Sequence, residues 1–233
     1  MKFNNVVGNQ PLTLTTGNYT NGSGEPFTVT TLNYYISNIK LKKADGSDYI
    51  VPQDSSYFLV KQSDSTSRVI TLRNVPVGNY SGVTFTVGVD SLRNTMNISR
   101  RTGALDPAAG AEGMYWDWNS GYIFFKLEGT SPSAPAEATG MRMFMYHVGL
   151  FGGYQSKTLN NLKTVQLPFG STTAPVTVNG SSVVKIKADV LKVFDGVKPL
   201  SIAQNPAIMV SALSADVATN YAQMFQFDAV GAK

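Results

Sequence analysis

The residues with the widest chemical reach stand at every second position of one short run, Met141-Arg142-Met143-Phe144-Met145-Tyr146-His147. In an extended strand the side chains alternate between faces. Met141, Met143, Met145 and His147 then project the same way, with about 7 Å between successive members. Thioether and imidazole are the donors a soft cuprous ion prefers, and Met145 beside His147 could share one ion. The same spacing serves a core equally well, because methionine fills irregular apolar space and a single imidazole packs with its nitrogens hydrogen-bonded. His147 is the chain's single histidine, and cysteine is absent. Disulfides, thiolate zinc sites, iron–sulfur clusters, cysteine nucleophiles and sites built from two imidazoles of one chain are thereby excluded.

A second group is aromatic. Both tryptophans fall in Trp116-Asp117-Trp118, flanked by Tyr115 and Tyr122. On a strand Trp116 and Trp118 share a face, forming either a platform for sugar rings or cations or a corner of large rings closing one end of the fold. A third group carries oxygen donors: Asp90, Asn94, Asp106 and Glu128 make a calcium site if folding gathers them. Their spacing is not that of an EF-hand. Helix caps, Asx-turns and pairing with Arg93, Arg100 or Arg101 account for them as well.

Conventional catalysis finds little support. No serine sits in a strand–turn–helix setting beside a base, and Asp plus Glu total 15, mostly in turns. Gly149-Leu150-Phe151-Gly152-Gly153 lacks the lysine and helix that would hold a phosphate. The net charge of +4 is a small surplus without a dense basic run beyond Lys40, Lys42 and Lys43, so no nucleic-acid partner is expected.

The elements that must position these groups read as strands. At 233 residues, 42% hydrophobic and only 15% charged, the chain has enough apolar sequence for one all-β domain spanning residues 1–233. Alternation and β-branched or aromatic residues predict a long strand over Phe27–Leu41. Further strands are expected at 49–51, 57–61, 69–72, 83–89, 121–127, 141–149, 163–168, 176–178, 182–190 and 208–213. Asp90–Trp118 breaks the alternation and reads as a long ordered loop with a helical turn, the first place to look for function. One short helix is expected near its cap Ser214, where Val217, Tyr221 and Met224/Phe225 share a face. The expected architecture is an antiparallel β-sandwich with long loops and a short helix.

Six stretches together resemble the MbnP-like family: 32–41 (LNYYISNIKL), Gly88-Val89-Asp90-Ser91 with Asn94, 103–107 (GALDP), 113–122 (GMYWDWNSGY), Lys126-Leu127-Glu128-Gly129 and Tyr146-His147-Val148-Gly149. They span about residues 30–150, and the tryptophan block is the most specific. Beyond residue 150 only general β character matches. The resemblance implies that the sandwich is immunoglobulin-like, in an exported, non-enzymatic periplasmic or cell-envelope protein that binds copper through histidines and a tryptophan oxidised to kynurenine. It also implies a di-haem cytochrome c peroxidase-like partner that performs the oxidation. On this chain it makes Trp116 the first and Trp118 the second candidate for modification, and His147, Met145 and modified Trp116 the copper donors. The copper-binding relatives use two histidines, one in a Trp-x-His arrangement, where this chain has Trp116-Asp117-Trp118. A family member that keeps the aromatic block without copper, with calcium as its ion, is the other expectation. The sequence shows no transmembrane run and no leader. Export would mean that a signal peptide had been removed, with a lipid anchor on that N-terminus a further option.

Overall fold

The computed structural model describes residues 1–116 and 121–232. Its framework is the long strand Pro26–Lys43, predicted from its alternation and extended by a few residues. It pairs with Phe125–Thr130 on one side and Gly78–Val87 on the other, in its middle also with Tyr57–Lys61 and near its far end with Asp48–Ile50. Met143–Val148 adds to Phe125–Thr130, and Lys163–Pro168 adds to Gly78–Val87. Through Ala174–Thr177 the ladder continues to Gly180–Asp189, which is flanked by Lys2–Val7 and Phe225–Ala232. Among the described residues these strands belong to one fourteen-stranded hydrogen-bonded sheet that branches.

The sheet is mixed, which corrects the expected purely antiparallel pattern. Lys2–Val7 runs parallel to Gly180–Asp189, and Ala207–Ile208 runs parallel to Met143–Val148. Both are long-range pairings without a hairpin turn to mark them in sequence. The sheet folds back so that Phe3 and Phe225 pack edge-on over Tyr34 and Phe85. Alternation therefore works as the sequence suggested: Leu32, Tyr34 and Ile36 on the long strand face the main core together with Phe125, Leu127, Phe144, Tyr146 and Val148.

The opposite face carries a second, smaller core. Tyr35 points into it, joined by Val89, Leu105, Met114, Tyr122, Ile123 and Phe124, with Tyr115 and Trp116 packed against it. Most of these residues come from the stretch 89–116, which is ordered and contains the helix Ser91–Thr95 and two 3-10 turns, Ile98–Arg100 and Gly103–Leu105. The predicted strand 121–127 is split into Gly121–Tyr122 and Phe125–Thr130. The predicted C-terminal helix is Leu213–Tyr221, with Val217, Tyr221, Met224 and Phe225 buried. Ser214 is not its cap: Ala212 holds that position, and Ser214 Oγ donates to Ser211 O at 2.7 Å. No helix among the described residues is long and apolar enough to cross a membrane.

Candidate metal centre

The alternating run Met143–Val148 divides cleanly between the two faces. Phe144, Tyr146 and Val148 are fully buried in the main core, whereas Met143, Met145 and His147 are half-buried on the face that carries the second core. The thioethers and imidazole are therefore not the main-core packing that the spacing alone allowed. Met141 lies before the strand begins and is 52% exposed, so it does not extend that face.

Beside His147 the neighbouring strand presents Lys126 and Glu128. Lys126 is level with His147, and Glu128 is level with Met145. His147 Nε2 lies 2.7 Å from Glu128 Oε1, and Lys126 Nζ lies 3.5 Å from the same oxygen. The pairing with the long strand shifts between Glu128 and Gly129, and a β-carbon at Gly129 would stand 1.9 Å from Thr28 O. An irregularity of this kind re-aims a side chain, and here it falls at the acid that holds the imidazole.

The charges of this cluster are set by burial and by its own contacts. Burial of the His147 ring, the largest effect, holds its pKa below the ordinary 6.5 although the hydrogen bond to Glu128 opposes the shift. Burial alone would raise the Glu128 carboxyl. Hydrogen bonds from Thr31 and His147 and the Lys126 charge outweigh it and leave the pKa below 4.5. At neutral pH a neutral imidazole thus donates its Nε2 proton to a carboxylate, which leaves Nδ1 as the unprotonated nitrogen. A carboxylate on the far nitrogen is the usual support of a metal-binding histidine, since it fixes tautomer and ring orientation. Lys126 and Thr31 were not singled out from the sequence. Lys126 lies in a stretch that carried the family resemblance, but its place beside His147, like that of Thr31 beside Glu128, follows only from strand register.

Trp116 approaches the same face from the loop. Tyr115–Trp116 forms a two-stranded ribbon with Gly121–Tyr122. The six-membered edge of the indole fills the place of a side chain at Gly149: a β-carbon there would lie 2.7 Å from Trp116 Cζ3 and 2.5 Å from Tyr122 O. Gly149 is two residues beyond His147 and so, by alternation, on the same face about 7 Å along. The guanidinium of Arg101 lies over the rings of Tyr115 and Tyr122 at 5.4 and 5.5 Å, firming the aromatic block. Trp118 and Asp117 lie outside the described residues.

The four oxygen donors expected for calcium serve separate duties. Asp90 caps the helix Ser91–Thr95 through Arg93 N–H and accepts from Asn38 Nδ2 at 2.9 Å and from the Tyr57 hydroxyl. Asn94 donates to Val89 O and accepts from Tyr122 N–H at 3.0 Å. Asp106 closes an Asx-turn on Ala108 N–H at 2.9 Å, and Glu128 is committed to His147. Among the described residues no three His, Cys, Asp or Glu side chains converge as metal ligands would.

Comparison with known proteins places the chain in a family. The MbnP family profile matches residues 1–211, nine-tenths of the chain. The chain belongs to the MbnP family. The match runs well past residue 150, where the sequence had offered only β character. In structure the chain is similar to MbnP from Methylosinus trichosporium, with a TM-score of 0.60 at 16% identity over 99% of this chain and 96% of that one. At that identity the likeness is one of fold. Comparison with curated protein sequences gives no significant match.

A neutral, carboxylate-supported imidazole with thioethers on the same strand face is a donor set that suits a soft ion such as copper, and the indole of Trp116 packs on Gly149, two residues beyond the imidazole.

Proposed function

We propose that this MbnP-family chain is a non-enzymatic copper-holding protein of the cell envelope, and the observation that carries the reading is the His147–Glu128 pair. Burial keeps the ring neutral and the carboxylate orients it, leaving Nδ1 as the nitrogen to meet copper on the half-buried face that also carries Met145. Lys126 offsets the Glu128 charge, and the strand register holds all three side chains in place. Copper bound there supplies the protein's cargo or redox centre. Export to the periplasm or envelope belongs to the same reading.

Trp116 is the proposed site of modification, with a di-haem cytochrome c peroxidase-like protein as oxidising partner. Oxidation to kynurenine opens the five-membered ring and leaves an aromatic amine and a ketone, donors that indole lacks. The Gly149 contact holds the other, six-membered ring, the part that survives the change. Peptide mass mapping of the protein from its native host tests this point. The tryptic peptide 102–126, which holds both tryptophans, is expected to have gained one oxygen and lost one carbon, with fragmentation placing the change on Trp116; an unaltered Trp116 in protein from cells expressing the partner would overturn the assignment.

A further inference from the structure

A buried cation sits inside the aromatic block, and its surroundings bear on which ring there can lose an electron. Arg101 is only 9% exposed. Its Nε donates to Met96 O at 3.0 Å, and its Nη2 donates to Asn94 O at 2.7 Å and to Met96 O at 2.8 Å. Among the described residues its Nη1 has no hydrogen-bond partner, and no carboxylate comes within salt-bridge distance of the group. The carbonyl bonds clamp the guanidinium over Tyr115 at 5.4 Å and over Tyr122 at 5.5 Å. Tyr115 packs on Tyr122 with ring centres 5.2 Å apart, and Tyr122 packs on Tyr35 at 5.6 Å.

The phenol protons of the two inner rings are also held. Tyr35 and Tyr122 are fully buried, and their hydroxyls donate to Ala104 O and Leu105 O. A backbone carbonyl accepts a hydrogen bond but is far too weak a base to take the proton. Burial, the largest effect, pushes the Tyr122 pKa up to about 12 and that of Tyr35 well above 10. At Tyr122 the Arg101 charge opposes the rise, and the Asp106 carboxylate adds to it less strongly. Oxidation of a phenol at ordinary potentials removes the electron and the hydroxyl proton together. With its proton retained, the ring must become a radical cation, and beside Arg101 that sets two positive charges about 5 Å apart inside the protein. At half-buried Tyr115 the guard is the cation. An indole is free of the proton requirement, because its radical cation persists long enough to react.

We propose that Arg101 is a selectivity-determining residue of the aromatic block: when an oxidant draws one electron from the block, Arg101 keeps it from leaving Tyr115 or Tyr122, and Trp116 is the ring oxidised. In this step the indole loses one electron to become a radical cation and the oxidant gains that electron, with no bond broken. The inference rests on the reading of Trp116 as the modified residue and adds what protects its neighbours.

The test uses the recombinant full chain carrying Trp118→Phe, so that Trp116 is its remaining tryptophan. Tris(bipyridine)ruthenium(II) is excited by light in air with pentaamminechlorocobalt(III) as electron acceptor. The excited complex gives one electron to cobalt(III), the resulting ruthenium(III) takes one from a ring, and the ring radical combines with dioxygen. Peptide fragmentation then locates oxygen on Tyr115, Trp116 and Tyr122 in this chain and in its Arg101→Gln and Arg101→Lys variants, each shown to be folded by its melting curve. With Arg101 in place, oxygen is expected on Trp116. Arg101→Gln is expected to raise the ratio of tyrosine to tryptophan product at least about tenfold, the scale of a unit charge at this separation. Arg101→Lys loses the fork of hydrogen bonds but keeps the charge, and is expected to retain the original ratio; a purely structural arginine would make the two variants alike. Equal ratios in all three chains, or Arg101→Lys behaving as Arg101→Gln, would overturn the role of the Arg101 charge and leave the Trp116 reading standing. No oxygen on Trp116 in any of the chains would contradict both.

Discussion

Glu128 acts on copper through another group, so its substitution separates metal affinity from folding. The Glu128 and His147 side chains are about one-fifth and one-eighth exposed, and a partly exposed pair contributes little to stability, about 0–1 kcal/mol. As the support of the imidazole it matters more: Glu128→Gln is expected to lower Cu(I) affinity about 10- to 100-fold with little change in melting temperature, read by chelator competition and calorimetry. Gly149 is the opposite case. Its missing β-carbon would strike the backbone oxygen of Tyr122 as well as the Trp116 ring, and a backbone atom does not yield cheaply. Gly149→Ala is expected to cost about 1–3 kcal/mol and to shift the tryptophan fluorescence, both measurable in one denaturant titration. The spacing of Met143, Met145 and His147 was legible because alternation is local. Whether their face was core or surface depended on Phe144, Tyr146 and Val148 having a larger core to fill, which no local pattern reports.

At the scale of elements, the stretch 89–116 is a built cap over the outer face, and its ordering residues are the acids and amides that resembled a calcium site. Asp90 closes the first turn of Ser91–Thr95 and receives Asn38 and Tyr57; Asn94 ties that helix to Tyr122; Lys61 Nζ meets both Glu112 carboxylate oxygens at 2.7 Å. Loss of the cap in Asp90→Ala is expected to cost about 1–2 kcal/mol. The melting temperature of the wild type is expected to be the same in EDTA and in added calcium, because a ligand of the native state would raise it. A calcium-dependent rise would restore the oxygen-donor reading. The sequence placed Pro26–Lys43 and Lys163–Pro168 closely, since period-two alternation there ran between clear turn residues. It expected a strand over 208–213, of which only Ile208 belongs to the edge strand Ala207–Ile208: two residues in parallel contact with a strand some sixty positions away carry no periodicity. It also joined Gly121–Tyr122 to Phe125–Thr130, because the break between them is filled by Ile123 and Phe124, apolar residues of the second core.

For the molecule as a whole, the two cores on opposite faces explain how a family fold carries a site at its flank. The main core sets the register of Phe125–Thr130 and Met143–Val148, and that register aligns Glu128, His147 and the edge strand. Glu25 shows how the fold is closed elsewhere. Its carboxylate accepts from Asn21 Nδ2, Ser201 Oγ and Ile202 N–H at 2.7 Å each, and from Ala203 N–H at 3.0 Å, fastening the start of the long strand to the turn before the edge strand. Burial alone would raise its pKa, but these four donors outweigh it and hold the group below 4.5. A depressed folded pKa means that the stabilisation is full above the unfolded value and fades as pH falls through the folded one. The wild type is therefore expected to lose melting temperature below about pH 4.5, while Glu25→Gln, weaker at neutral pH, declines less on acidification. The most direct measurement of the central claim is an anaerobic Cu(I) titration of the purified chain beside His147→Ala. Chelator-resistant Cu(I) in the wild type that disappears on removal of the imidazole is the predicted result; identical weak binding by both proteins would contradict it.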